Sequence, residues 1–577
     1  MRVIDVLKEN KWRALTGFIF KSLEAILELL VPFLMAHIIN YGIHPGNLDY
    51  IKSRGIFLFI LPLCGYLLAL VCQWFASLVS QSTGSKLRSL LFDQLNRLDL
   101  QQSQSLGSSS IANRMINDTH NIQVCIAMAI RLASRCPVLL VGAMVMSFIV
   151  SPQLAPIFIL GGLVLGTILS LITLASNRIL AGIQKALDYL GQLFAENLSG
   201  MRDIRSFASQ KREVQRFEEA NRDWRKQQVA LARVQSLANP ASLFVVNLLI
   251  ALILYFGGGL VNRGAFQQGE VIALVNYMNT ILLALNVLVQ VLVMISRGVA
   301  GIQRVDELLA LEPSIVDPVP NHRCPVHLEE PALAVKIDQL SFAYGQKAVL
   351  KNINLNLAPG GFYAIVGPTA AGKSTLIHLL ERFYKPSSGQ IFLNGQDTQE
   401  MALTELRQMI SLVPQHASLL TGTIRSNLLL GRADATDEEL WRALEDAQAA
   451  HFVSQLDGGL DAPVSQGGKN FSGGQRQRLT IARALVKEAG LLILDDALSA
   501  LDFATEARIR STLAQKSASV LLVSQRLASV LEADQIIVLN YGQVEAVGKH
   551  DELLAQSPSY YAMAKSQKLV EGGESLA

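Results

Sequence analysis

The chain has 577 residues, half of them hydrophobic and only 17% charged, with a formal charge of +3 from 50 Lys and Arg against 47 Asp and Glu. A soluble globular chain carries roughly a quarter charged residues, so this composition, with its mean hydropathy of +0.33, excludes a purely cytosolic enzyme. The small net charge excludes nucleic acid as the main partner.

Five cysteines (Cys64, Cys72, Cys125, Cys136 and Cys324) have neither zinc-site spacing nor the paired spacing of a disulfide scaffold, and read as small buried hydrophobes. The segment Met1 to Trp12 is mixed in charge and runs into apolar sequence without a small-residue cleavage site, so the first hydrophobic segment is expected to stay in the mature protein. Residues 1–311 form a membrane domain. Its apolar runs approach the roughly 20 residues that a helix needs to cross about 30 Å of hydrocarbon. The predicted spans are Ala14–Ile39, Ile56–Val79, Ile126–Val150, Leu154–Ala175, Ser242–Val261 and Val271–Ser296. An even number of spans puts both termini on one side.

Within the spans, Lys21, Glu24 and Glu28 stand out, because ionisable groups at depth are costly and face a cavity or each other. Glu24 and Glu28 share a helix face. They are either an acidic patch for cationic amphiphiles, or part of a Lys21–Glu24 pair between helices or near the interface. Asn276, Tyr277, Asn279, Asn286 and Gln290 on the sixth span either line a pathway or join helices by hydrogen bonds. Lys86, Arg88, Arg97 and Arg114 lie between spans two and three, and eleven Lys and Arg from Arg178 to Arg233 lie between spans four and five. The opposite loops are short or weakly charged, so the basic loops and both termini are cytoplasmic by the positive-inside rule. Both basic loops carry helical periodicity, as at Leu187, Leu190, Leu193, Phe194 and Leu198, and are expected to continue the spans as hairpins. Each is broken by a short polar stretch, near 108–120 and 200–210.

Residues 312–331 are aperiodic and proline-bearing and read as a linker. From 332 to 577 short apolar strands such as Phe362–Val366, Leu491–Leu494 and Val520–Val523 alternate with helical patterns, the texture of a parallel α/β domain. The predicted fold is a membrane α-helical domain of six transmembrane helices with long cytoplasmic extensions, fused to an α/β domain that its phosphate loop, Gly367 to Ser374, marks as a P-loop nucleotide-binding domain. Gly367, Pro368, Thr369, Ala370, Ala371, Gly372, Lys373 and Ser374, followed by Thr375, fit the phosphate-cradling pattern G-x-x-x-x-G-K-S between a strand and a helix. There backbone N–H groups turn toward phosphate oxygens, Lys373 reaches the outer phosphates and Ser374 ligates Mg2+. Asp495 ends a buried strand, where a carboxylate holds the magnesium shell.

Between these lies Phe471-Ser472-Gly473-Gly474-Gln475, followed by a helical pattern. With the phosphate loop and Asp495, its order and spacing resemble the ATP-binding cassette transporters, exporter type, whose signature is written L-S-G-G-Q. The likeness extends over essentially the whole chain. It implies that Tyr344 stacks on adenine, that Gln415 touches magnesium and the transmembrane helices, and that Asp502, in Ser499-Ala500-Leu501-Asp502, lies in a loop linking the two ATP sites of a dimer. It also implies that the breaks near 108–120 and 200–210 are coupling regions. In this family the signature, here Phe471 to Gln475, completes the ATP site of the other subunit.

The sequence departs from the family at the chemistry. Asp496 stands where Glu normally orients the attacking water, and Gln525 where a switch His is expected. A displacement of about 1 Å at such a position costs roughly a hundredfold in rate, and glutamine carries no proton at neutral pH. Ser465–Asn470 lacks the Glu that exporters often carry before the signature, which removes a cross-domain contact. The resemblance is therefore to the degenerate-site subunit of heterodimeric bacterial multidrug exporters. The expected cofactors are ATP and Mg2+. The expected partners are a second half-transporter, the bilayer of the cell membrane and a small amphiphilic substrate. The motifs leave open import of a siderophore by the same architecture, a homodimeric lipid or peptide flippase, and an ATP-gated regulatory subunit.

Overall fold

The computed structural model describes residues 2–317 and 332–569. Most of the expected linker, with Cys324, and the last eight residues lie outside them. The chain divides into two units, Met1–Arg97 with Leu106–Leu311, and Leu98–Ser105 with Glu312–Ala577.

In the first unit six helical runs are long and apolar enough to cross a membrane: Lys11–Ile43, Leu48–Arg97, Ser108–Val150, Ala155–Ser199, Gln210–Asn262 and Gln268–Leu309. Five of the six predicted spans fall inside these runs, and the fourth, Leu154–Ala175, begins one residue before its run. At 1.5 Å per residue all six exceed the hydrocarbon thickness, so the helical pattern does run on past the apolar segments. The helices are not uniform, because a π-helical turn closes the first at Ile39–Ile43 and two more interrupt the third at Arg114–Asp118 and Ala129–Ala133. The expected break at 200–210 contains a short separate helix, Met201–Ser206.

Between apolar helices in lipid, close packing and hydrogen bonds replace the hydrophobic effect. Here a side-chain carbon on Gly298 would lie 2.3 Å from the Cβ of Cys125, so the third and sixth helices touch only because residue 298 has none. Nearby, Arg304 grips Asp118 with two nitrogens, Nε at 2.8 Å and Nη2 at 2.5 Å. Tyr277 is fully buried and donates its hydroxyl to the Leu29 carbonyl at 2.9 Å, which makes it helix glue and not pathway lining.

Among the described residues the second unit contains twelve strands: β1 (Val335–Tyr344), β2 (Lys347–Leu357), β3 (Phe362–Val366), β4 (Ser388–Leu393), β5 (Gln396–Asp397), β6 (Ile410–Val413), β7 (Gly422–Thr423), β8 (Pro463–Val464), β9 (Leu491–Asp495), β10 (Ser519–Val523), β11 (Gln535–Asn540) and β12 (Gln543–Gly548). Six form a sheet in the order β12-β11-β3-β10-β9-β6, parallel except for the edge strand β12. β3, β9 and β10 are buried at every residue. Strands covered on both faces read as unbroken apolar runs, which is why the sequence exposed them.

The expectation of a parallel domain covers only this sheet. A second sheet, β2-β1-β4-β5, is wholly antiparallel. Its strands alternate buried and exposed residues, with register shifts in β1 that break the period and hide it from a search for apolar runs. The second unit also takes in Leu98–Ser105, where Leu100 packs against the core and Gln104 accepts a 3.3 Å hydrogen bond from Tyr384. The stretch 108–120 named from sequence lies just C-terminal to that segment.

Candidate nucleotide site and transmembrane cleft

Parallel α/β sheets bind ligands outside the carboxyl ends of their strands. β3 and β9 both flank β10, so their carboxyl ends open on one crevice. The loop after β3 is strained into shape by residues on the left-handed side, with φ of +153° at Gly367, +66° at Ala370 and +101° at Gly372. A side chain at Gly367 would meet the Leu539 carbonyl at 2.0 Å, and at Gly372 it would meet Leu350 at 2.6 Å. Only glycine fits either place.

The helix Lys373–Leu380 begins at once, its first N–H groups facing the loop. Lys373 is buried and bends back across the loop, donating to the carbonyls of Gly367 and Pro368 at 2.8 Å each. Burial lowers its pKa, opposed by the carboxylates of Asp496 and Asp495. Pro368, Thr369 and Ala370 are exposed at the rim, while Ala371 and Thr375 are buried. Ser374 donates to Asp495 Oδ1 at 3.2 Å, joining the loop to the end of β9. Burial pushes the Asp495 carboxyl up, and the Ser374 hydroxyl partly offsets this.

The next residue, Asp496, sits in the left-handed region (φ +49°) and donates its N–H to the Val523 carbonyl at 3.0 Å. Gln415 Nε2 approaches its Oδ2 at 3.5 Å. Lys373, Ser374, Asp495, Asp496 and Gln415 are thus brought together. Gln525 is on the adjacent loop after β10, exposed, and its main-chain carbonyl is held by Gln567 at 2.8 Å. Tyr344 ends β1, partly exposed, with its ring edge-on to Phe342 at 4.8 Å and to Tyr384 at 5.2 Å. Sequence reasoning missed those two supporting rings. The aromatic pair Phe383-Tyr384 just after the phosphate-loop helix was the available signal.

Ser472 caps the helix Gly473–Val486: its Oγ accepts from Gln475 N at 3.3 Å while Gln475 Oε1 accepts from Ser472 N at 2.9 Å. Among the described residues the hydrogen bonds of Ser472 are all local. Phe471 is buried, whereas Ser472 and Gly473 are exposed and Gly474 and Gln475 half-buried. Asp502 caps the helix Phe503–Ala514, and the Thr505 N–H at 3.0 Å holds its carboxyl below the usual range. In Ser465–Asn470, Asn470 Oδ1 accepts from the Ser465 N–H at 3.0 Å and hydroxyl at 2.9 Å, so an asparagine closes the loop that lacks the Glu.

In the first unit a cleft of about 600 Å³ is lined by Glu24, Glu28, Arg135, Asn276 and Asn279 among others. Glu24, Glu28, Asn276 and Asn279, all named from the sequence, therefore line one cleft, and Tyr277, Asn286 and Gln290 do not. Each of the two carboxylates has a cation beside it. Lys21 Nζ lies 2.8 and 2.6 Å from the two oxygens of Glu24, and Arg135 Nη2 lies 2.8 and 2.6 Å from those of Glu28. Arg135, on the third helix, was not singled out, although a charge within an apolar span is the same signal that marked Lys21, Glu24 and Glu28.

Residues 14–285 match the family described as ABC transporter transmembrane region, and residues 350–499 match the family ABC transporter. An uncharacterized ABC transporter ATP-binding protein, YfiB, of Bacillus subtilis is 30% identical over the full length of both chains. The chain belongs to the ABC transporters. An ATP-dependent lipid A-core flippase of Hahella chejuensis is 32% identical, over 86% of this chain and 84% of that one. A bacterial Atm1-family ABC exporter, solved with ATP bound, superposes with a TM-score of 0.81 at 25% identity, covering 99% of this chain and 100% of that chain.

This ABC transporter is thus a membrane protein of exporter fold that binds and hydrolyses ATP. ABC exporters act as dimers. Among the described residues no three His, Cys, Asp or Glu side chains gather as a metal site. Mg2+ needs no such cluster, because it takes one or two protein oxygens and completes its shell with phosphate oxygens and water. The hydroxyl of Ser374 beside the carboxylate of Asp495 is a donor set of that kind.

Proposed function

We propose that this transporter chain is one half of a heterodimeric exporter of hydrophobic or amphiphilic compounds, holding ATP in its own pocket but splitting it slowly. The observation that supports this most is the contrast within one site. Every group suited to binding is in place: the glycine-shaped loop, Lys373, the Ser374–Asp495 pair and the aromatic Tyr344. The two groups suited to the transition state are exchanged, Asp496 for Glu and Gln525 for His. Losses confined to transition-state groups lower turnover without lowering affinity.

In this reading Lys373 binds the outer phosphates, Tyr344 stacks on adenine, and Ser374, Asp495 and Gln415 hold Mg2+, which neutralises phosphate charge when bound. Asp496 aims at the attacking water from one methylene too far. Ser472, Gly473, Gly474 and Gln475 offer an exposed helix N-terminus, the arrangement that attracts a γ-phosphate, to the partner's nucleotide. Closure of the two nucleotide-binding domains on ATP draws the hairpins together through the regions near 108–120 and 200–210, and release resets them. The nucleotide-binding domain and both termini are cytoplasmic by the distribution of Lys and Arg.

Purified alone, the chain should bind a fluorescent ATP analogue yet show little ATPase, and co-expression with a half-transporter carrying Glu and His should restore turnover. Robust turnover alone would refute the reading. A second reading, outward movement of a lipid, is favoured by the relatives called lipid A-core flippases. Sided vesicles loaded with labelled lipid distinguish it.

A further inference from the structure

We propose that the transmembrane cleft selects its occupant by head-group charge, taking amphiphiles whose head carries one positive and one negative group. This rests on the amphiphile-export reading and names the substrate class for it. The two ion pairs differ in kind. Lys21 and Glu24 are three residues apart on one helix, and Lys21 is only 7% exposed, so that pair is closed off. Glu28 and Arg135 come from the first and third helices, and their side chains stay 43% and 31% exposed.

The second pair is also incompletely used. A single nitrogen, Nη2, serves both oxygens of Glu28; the Nε of Arg135 is buried without a partner, and its Nη1 makes no hydrogen bond among the described residues and stays open to an occupant. A guanidinium has five N–H donors in a fork that suits two acceptors. Beside it, Asn276 donates its Nδ2 to the Ile272 carbonyl at 2.9 Å, leaving its side-chain oxygen for another donor, and Asn279 is exposed on the same wall. Leu27, Val31 and Leu61 complete the lining with apolar surface for a hydrocarbon chain.

Charge decides what fits. Two carboxylates and two cations sum to zero. A head of one sign that replaces either member of the Glu28–Arg135 pair leaves the other member without its counter-charge at membrane depth, which is costly. A head with both signs strands neither: its ammonium sits on Glu28 and its anion on Arg135, so that four charges alternate.

The test uses the full-length chain with its partner subunit in nanodiscs and three fluorescent probes with the same alkyl chain, headed by phosphocholine, trimethylammonium or sulfate. Polarisation is read without nucleotide. The wild type should bind the phosphocholine probe about tenfold more tightly than either other. Glu28→Gln should move the sulfate probe to the first rank and Arg135→Gln the trimethylammonium probe, while Glu28→Arg combined with Arg135→Glu returns the original order. A single-signed probe ranking first in the wild type, or the same ranking in both single variants, overturns the proposal. ATP-driven accumulation in inside-out vesicles is scored separately. An intact ranking with no accumulation of any probe removes the export reading and keeps the site.

Discussion

In the proposed function, the methylene that Asp496 lacks relative to Glu separates holding a nucleotide from cleaving it. The Asp496 backbone is pinned by the hydrogen bond to Val523, so the shorter side chain cannot be compensated by a shift of the strand end. Asp496→Glu together with Gln525→His should therefore raise single-turnover ATP cleavage at this chain's own site by about a hundredfold, with nucleotide affinity little changed. An unchanged cleavage rate in rapid-quench measurements would contradict the role given to these two positions.

Glu381, just beyond the phosphate-loop helix, offers an independent test of burial. Burial raises its pKa from the ordinary 4.5 to about 7, against the pull of Lys487 and Arg407. The folded state thus holds this proton more tightly than the unfolded state does. The resulting stabilisation is complete below about pH 4.5 and is lost as the pH climbs through 7, a total of about 3 kcal/mol. Glu381→Gln should gain stability relative to the wild type between pH 5 and pH 8 in thermal melts. An equal difference at both pH values would refute the burial argument.

At the scale of elements, the signature helix depends on its cap. Ser472→Ala removes the oxygen that accepts from Gln475, at a cost of about 1 kcal/mol to the helix start. Turnover of the partnered complex should fall while nucleotide binding to this chain's own loop, measured separately, stays at the wild-type level. Equal loss of both would mean that the helix serves its own subunit. Among the membrane helices, Gly298→Val places carbon where the Cβ of Cys125 already lies. Helices three and six must then separate, and the detergent-solubilised protein should melt several degrees lower. An unchanged melting temperature would refute that contact.

What the sequence revealed at this scale follows from how each element meets its surroundings. The phosphate loop, the end of β9 and the signature cap were legible because backbone geometry dictates their residue types in short, fixed spacings. The six spans were legible because lipid demands long apolar runs. The antiparallel sheet was not, since bulges break its alternation, and neither was the pairing of Arg135 with Glu28, which lies 107 residues away. Long-range pairing leaves no local trace. The Lys21–Glu24 pair, three residues apart, was legible in the sequence, whereas the cation beside Glu28 was not.

For the whole molecule, the proposed function gives the two faces of the nucleotide-binding domain different work, one to keep ATP and the other to lend Ser472 to Gln475 to a neighbour. An assembly of identical copies would pair two weak sites, whereas a mixed dimer joins this chain's intact signature to a partner's full catalytic set. The direct measurement is steady-state ATPase in proteoliposomes containing this chain alone, set against proteoliposomes containing it with a partner that carries Glu and His. Turnover alone should be about a hundredfold lower, despite saturable binding of labelled ATP. Vigorous turnover by the chain alone, abolished by Asp496→Asn, would contradict the account.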